Sequence, residues 1–329
     1  MNVALVGCGL IGRKRAGALG QHRLLACADV VAGQAQALAA DHPGSVATGD
    51  FRRAIAHPGV EAVIVATSND ALTSVALAAV EAGKHVLVEK PAARTVDELR
   101  PLTAAAGRRG AVVKVGFNHR FHPAFQQARR IFETGELGEL MYIRGRYGHG
   151  GRPGYEREWR ADQRISGGGE LLDQGSHLID LARWFAGDFT EVSGHIGTYF
   201  WPMAVEDNAF ALLKTAAAQV AWLHASWTEW KNLFSFEIFG RYGKLQIDGL
   251  GGSYGTERLT YYHMLPQMGP PEMTCWDYPD EDRSWQAELD HFASCVAGGI
   301  RPCGSLEDAA AVLEIIERLY AKAGRDHHP

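Results

Sequence analysis

The stretch VALVGCGLIGRKRAGAL, residues 3–19, narrows the possible folds more than any other part of the chain. It reads as a buried strand running straight into Gly7, Gly9 and Gly12 and then into a helix. A second apolar run, 24–29, closes on Asp29, 20 residues after Gly9. Strand, G-x-G-x-x-G, helix and an acid ending the next strand form the pattern of a dinucleotide-binding β-α-β unit. Gly7 permits the tight turn, Gly9 lets the main chain approach a pyrophosphate, and Gly12 lets helix and strand pack closely. Leu10 and Ile11 complete the turn and are expected beside the cofactor with the three glycines. The first helical turn then offers free N–H groups and the positive dipole end to phosphates. Asp29 is suited to accept hydrogen bonds from the adenosine ribose and to repel a 2′-phosphate. VVAGQAQ, which follows it, holds no arginine or lysine. The expected cofactor is therefore NAD, with NADP disfavoured.

Composition sets the outer limits. The 329 residues, 46% hydrophobic and 22% charged, suit a soluble globular chain of about two domains. A net charge of −5 gives no reason to expect nucleic acid or an anionic membrane as partner. The cysteines number five, an odd count without a C-x-x-C, which argues against a disulfide framework or zinc site and for a reducing cytoplasm. The apolar N-terminus lacks a preceding basic region; Arg13-Lys14-Arg15 follows it, the reverse of a secretory signal. No run of 18 apolar residues suggests a membrane span.

The chain changes grammar near residue 119. Before it, apolar runs at 2–6, 24–29, 61–67, 85–89 and 111–117 alternate with amphipathic segments such as 70–82 and 95–109. Thr95-Val-Asp-Glu98 has the capping-box spacing that starts a helix. Fully apolar strands, each followed by a helix, predict a doubly wound parallel sheet covered on both faces. After it come a helix near 122–134, a strand near 139–147, a helix from 169, and the successive strand patterns EVSGHIGTYF, NAFALLK, QVAWLHASWT, FSFEIFG, KLQID and ERLTYYHM. Two closing helices fall near 284–298 and 305–322. The expected organisation is α/β: an N-terminal nucleotide-binding domain, 1–119, and a C-terminal α/β domain, 120–329, built on a large, mostly antiparallel sheet.

Two further motifs carry chemistry. In HVLVEKPAA, Lys90 stands between Glu89 and Pro91 at the carboxyl end of a buried strand, where open α/β sheets bind ligands. GGGELLDQGSHLID, residues 167–180, places Asp173, His177 and Asp180 on one helical face at spacings of four and three. Together with NHRFHPAF at 118–125, these motifs resemble, in order along the whole chain, the Gfo/Idh/MocA oxidoreductases. That resemblance implies hydride transfer between NAD(P) and a hydroxyl-bearing carbon of a sugar, cyclitol or sugar derivative, nucleotide-linked ones included. It implies a homodimer or homotetramer formed through the second sheet. It marks Lys90 as the catalytic lysine, often preceding a cis proline like Pro91, and Asp173 and His177 as acid and general acid/base. It also puts Asn118 near the nicotinamide and the substrate, and Glu89 and Lys90 among the cofactor contacts. The family's frequent T-P-N-x-x-H is here Thr67-Ser-Asn69-Asp-Ala-Leu72, which leaves Thr67 and Asn69 as expected cofactor contacts.

On this reading His177 removes the hydroxyl proton as hydride leaves, because an imidazole titrates near neutrality. Asp173 orients the ring or holds another hydroxyl, and Lys90 stabilises developing alkoxide charge. Glycines 167–169 are expected to allow close approach of backbone and cofactor, and Asp180 to be structural, bonded to the imidazole or capping a loop. From the loop 151–165, Tyr155, Trp159 and Arg160 are candidates for substrate contact. His119 and His122 lack a third ligand, so no metal is expected; His327 and His328 read as a chain end. Two alternatives share these motifs: an NAD-dependent glycosidase on the same scaffold, and a non-catalytic dinucleotide- or sugar-binding regulator.

Overall fold

The computed structural model describes residues 1–324; His327 and His328 lie outside the described residues. The first half builds β1 (Asn2–Val6), α1 (Leu10–Gly17), β2 (Arg23–Ala28), α2 (Ala32–Asp41), β3 (Val46–Thr48), α3 (Phe51–Ile55), β4 (Ala62–Val65), α4 (Asn69–Glu81), β5 (His85–Glu89), α5 (Val96–Arg109) and β6 (Val113–Gly116). Its six strands are all parallel, in the order β3-β2-β1-β4-β5-β6. Order reverses beside β1, so the crevice between the β1 and β4 carboxyl ends is the ligand position of such sheets. Successive residues of β1 face opposite layers: Ala4 and Val6 join the larger core with α4 and α5, whereas Val3 and Leu5 join a second cluster. Both faces are dry, which is why the strands read as unbroken apolar runs.

The Thr95 hydroxyl accepts from the Glu98 N–H as the capping spacing predicts, but the Glu98 carboxylate reaches back to the Arg94 N–H instead of Thr95. The helix ends at Gly110, whose φ of +62° is the left-handed stop that glycine favours.

The second half contains α6 (Pro123–Thr134), β7 (Leu140–Gly148), α7 (Gln163–Ser166), a π-helical turn (Leu171–Gly175), α8 (Ser176–Ala186), β8 (Phe189–Gly197), β9 (Asn208–Thr215), β10 (Val220–Ser226), β11 (Leu233–Gly240), β12 (Gly243–Asp248), β13 (Glu257–His263), β14 (Glu272–Tyr278), α9 (Ser284–Gly298) and α10 (Leu306–Lys322). The eight strands run β14-β13-β12-β11-β7-β10-β9-β8, and only β7 and β10 pair parallel. α8 and α10 cover one face of this sheet, where Leu178, Leu181, Val312 and Ile316 join Ile143, Leu223 and Phe236.

The division at 119/120 is less clean in space than along the chain. α9 lies on the first sheet, where Leu289 and Phe292 fill the cluster of Val3, Leu5, Ile64 and Leu87. The second half thereby supplies part of the first sheet's cover. Among the described residues no helix is long and apolar enough to cross a membrane.

Candidate active site

The glycine loop behaves as its spacing predicts. Gly7 has φ +93°, and a Cβ there would collide with the main chain of Ala66 and Thr67. At Gly12 a Cβ would strike the Gly7 carbonyl, so helix and loop meet only because both lack side chains. Above Gly9 the nearest atom is Gln34 Oε1, 3.8 Å from an added Cβ, which leaves the loop open on the side of a cleft of about 490 Å³. No side chain caps the start of α1, so its first N–H groups face that cleft unspent.

Asp29 lines the same cleft and braces it, accepting from the Cys8 N–H at 2.7 Å and the Val31 N–H at 2.8 Å. Leu10, Ile11 and Thr67 line it too. These features fit a dinucleotide: a glycine cradle that a Cβ would fill, free helix N–H groups, and a carboxylate with no cation in the residues just after it.

The second domain closes one side of this cleft. Trp159, Arg160 and Arg152, all from the loop before α7, line it. Arg160 stacks on Trp159 at 4.5 Å and reaches Asp173 Oδ2 with its Nε at 3.3 Å. Lys90, presented by the end of β5, bonds the other Asp173 oxygen and, at 2.8 Å, the Asp173 carbonyl. The Lys90–Pro91 peptide is cis. Burial alone would raise the Asp173 pKa, but the two cations outweigh it and hold the carboxyl below its usual range. The lysine of the first sheet and the acid of the segment leading into α8 therefore form one charged unit.

His177 follows one turn later. Its ring stacks on His119 with centroids 3.7 Å apart and planes 16° apart. The two rings are buried, at 6% exposure each. Burial, and then Lys90, depresses the His177 pKa well below the ordinary imidazole value. His119 is depressed likewise, by burial and then by His177. Among the described residues His177 Nδ1 has no hydrogen-bond partner, so stacking orients the ring in place of a carboxylate. Asp180 does not touch the imidazole: it is the bidentate partner of Arg120, at 2.8 and 2.5 Å.

Several expected contact residues are engaged by protein partners. Glu89 turns under the sheet to Arg15 Nε at 2.5 Å, because a buried carboxylate needs a cation and Arg15 is the one in reach. Asn69 donates to the Ser166 carbonyl at 2.8 Å, tying the domains together. Asn118 sits one step behind the site, donating to Ser284 Oγ at 3.0 Å and accepting from His119 Nδ1 at 3.2 Å, which fixes the His119 tautomer.

Tyr155, 3% exposed, packs edge-on against Trp227 in a small aromatic cluster. Glycines 167–169 admit close approach of protein groups. A Cβ at 167 would meet Arg94, at 168 the Tyr320 hydroxyl, and at 169 the Glu206 main chain. His122 is paired with Glu257 at 2.7 Å, and no group of three or more metal-ligating side chains occurs among the described residues.

Sequence reasoning weighed His119 only as a metal ligand and passed over Tyr147, Glu170 and Tyr254, which surround Asp173 and His177. Glu170 had a signal, being three residues before Asp173 and seven before His177 on the same helical stripe. Tyr147 and Tyr254 had none, since only strand pairing brings them to this helix.

Fold and cleft together define a two-domain oxidoreductase of the NAD-binding class. Residues 1–117 match the oxidoreductase family model for the NAD-binding Rossmann fold, and residues 125–246 match the GFO/IDH/MocA C-terminal domain. The chain belongs to the GFO/IDH/MocA oxidoreductase family.

Among curated relatives, levoglucosan dehydrogenase of Pseudarthrobacter phenanthrenivorans is 30% identical over 225 residues, 60% of this chain and 58% of that protein. The NAD(+)-dependent scyllo-inositol 2-dehydrogenase of Bacillus subtilis is 27% identical over 300 residues, 89% of this chain and 84% of that one. A solved levoglucosan dehydrogenase in complex with NADH and levoglucosan superposes with a TM-score of 0.90 at 25% identity, covering 98% of this chain and 97% of that one. Aldose-aldose oxidoreductase from Caulobacter crescentus, complexed with glycerol, shares the fold with a TM-score of 0.85 at 24% identity over 98% of this chain and 97% of that one.

Proposed function

We propose that the protein is an NAD-dependent dehydrogenase acting on a hydroxyl-bearing carbon of a sugar or cyclitol. The observation that carries this reading is the convergence of Lys90, from the first sheet, with Asp173 and His177, from the second domain, beside the cleft that the glycine loop opens. When bound, the nicotinamide takes up or gives back the hydride.

His177 does the proton work. A ring whose pKa burial has depressed is neutral at pH 7 and able to accept the hydroxyl proton. Lys90, with its charge balanced by Asp173, offers its remaining N–H donor to the oxygen as negative charge develops, and in the reverse direction polarises the carbonyl. Asp173 holds Lys90 and Arg160 in place, and Trp159 with Arg160 covers the cleft against water. The four arginines of the 151–165 loop are each matched to an acid: Arg152 to Glu158, Arg157 to Glu156, Arg160 to Asp173 and Arg164 to Asp162. A second diphosphate would have to compete with these acids, which favours unmodified sugars or cyclitols over nucleotide-linked ones.

Two further assignments go with this reading. The uncovered face of the second sheet carries half-exposed Leu212, Trp222 and Tyr142 on adjoining strands, and such a face supports a homodimer or homotetramer. The five cysteines are all free thiols, which fits a reducing cytoplasm.

The test is turnover. Purified protein with NAD+ and a panel of inositols, levoglucosan and aldoses is expected to produce NADH with at least one of them. Lys90→Ala is expected to lower kcat by roughly 10²–10³-fold while NADH binding, read by fluorescence, persists. Full activity in Lys90→Ala would defeat the assignment.

A further inference from the structure

The loop between β12 and β13, residues 249–256, is rich in glycine. Gly249, Gly251, Gly252 and Gly255 have φ of +72°, +53°, +76° and +97°, conformations that side chains rarely adopt. The winding they allow turns Tyr254 inward, with its N–H on the Leu250 carbonyl at 3.2 Å. Asn232 holds the preceding residue by its Ser253 carbonyl at 2.9 Å.

The Tyr254 ring meets Tyr147 edge-on at 5.0 Å, and Tyr147 in turn lies 5.3 Å from His119 and 6.4 Å from His177. Gln174, on the turn between Asp173 and His177, donates its Nε2 to the Tyr254 hydroxyl at 2.8 Å. The Tyr147 hydroxyl neighbours the same oxygen, and either phenol is able to donate to the other. A phenol oxygen has two acceptor positions and one proton. Gln174 takes one acceptor position of Tyr254, and among the described residues no well-formed hydrogen bond takes its proton.

We propose that Tyr254 binds substrate directly, donating its hydroxyl proton to a second hydroxyl of the ring whose neighbouring carbon is oxidised at His177. This rests on the dehydrogenase reading and adds to it a preference for polyhydroxylated rings over simple alcohols. The surroundings favour a donor. Burial, then the Glu170 charge, pushes the Tyr254 pKa up to about 12, so the phenol keeps its proton at any working pH. Glu170 is itself fully buried, and neither of its oxygens has a well-formed hydrogen bond; burial and then Asp173 raise its pKa well above the carboxylate range. Gln174 Oε1 is also without a partner among the described residues. A phenol proton held in place rejects ligands that offer it no acceptor.

The experiment uses the NADH-bound protein, in which no turnover occurs. Calorimetry measures binding of myo-inositol, levoglucosan and their monodeoxy derivatives to the wild type and to Tyr254→Phe. The variant is expected to bind the better parent ligand roughly 10–100-fold more weakly with NADH affinity unchanged. One deoxy derivative is expected to show a similar loss on the wild type and no further loss on the variant. Equal affinities of the two proteins, additive losses for every derivative, or binding of no member of the panel would each overturn the proposal. Turnover assayed in parallel separates the two claims: coupled binding without any NAD-linked oxidation would defeat the dehydrogenase reading and leave the Tyr254 contact standing.

Discussion

His177 shows how one residue's chemistry depends on what covers it. An exposed imidazole at pH 7 is a mixture of protonation states, but here burial and the Lys90 charge keep the ring neutral. The acid limb of kcat/KM for alcohol oxidation should therefore fall below the ordinary imidazole value of about 6.5. Lys90→Met, which removes the nearby cation, should move that limb to higher pH in the residual activity; pH-rate profiles of both proteins check the direction. At Asp29 the matter is discrimination. Asp29→Ser removes the repulsion toward a 2′-phosphate, and the ratio of kcat/KM for NAD over NADP should drop on the order of tenfold; an unchanged ratio would refute the assignment.

The decisive element is the segment from Gly167 into α8. Its spacing predicts a regular helix with Asp173 and His177 one above the other, and the structure instead inserts a π-helical turn at Leu171–Gly175. A physical reason is visible at Asp173. Its carbonyl accepts from Lys90 Nζ and Ser176 Oγ, both at 2.8 Å, which compete with the regular helical partner. That lysine comes from a strand 83 residues earlier, so spacing could not reveal the turn. The glycines before it were legible as a close approach, but what approaches is the Glu206 main chain. Gly169→Ala should consequently cost about 1–3 kcal/mol of stability, measured by denaturant unfolding, with smaller change in NADH affinity. β14 escaped notice for another reason: at the sheet edge its first four residues are exposed, so no buried alternation marks it.

Across the whole molecule, a buried ion network joins the halves. Arg15, just after the glycine loop, lies 2.5 Å from Glu89 and 2.7 Å from Glu288 of α9, the latter an ion pair by distance though not in hydrogen-bond geometry; Lys114 adds 3.3 Å to Glu288. Two cations balance two anions with almost no solvent access. Glu288→Leu leaves an uncompensated buried charge and should destabilise the fold by about 3–5 kcal/mol, seen as a lower denaturant midpoint. Stability should also depend on pH through the stacked imidazoles. Their folded-state pKa values are depressed, so the unfolded chain binds more protons below about 6.5 and stability falls as pH falls through that range. His119→Phe, which keeps a ring in place, should make that fall shallower; equal slopes in urea midpoints against pH would contradict it.

Local pattern by itself determined the parallel sheet, the glycine cradle, Asp29 at the end of β2, and the bounds of α9 and α10, because these depend on side-chain periodicity and on backbone freedom at single glycines. It also brought Lys90, Asp173 and His177 forward as candidates, though the family resemblance was needed to join them. Only the tertiary structure decided which charge meets which. Glu89 went to Arg15, Asn69 to Ser166, Asp180 to Arg120, Tyr155 into an aromatic cluster, and Tyr147 and Tyr254 to the helix of His177. A buried polar group must satisfy itself with whatever lies within about 3 Å, and that neighbourhood is set by strand order and helix packing between residues far apart in the chain.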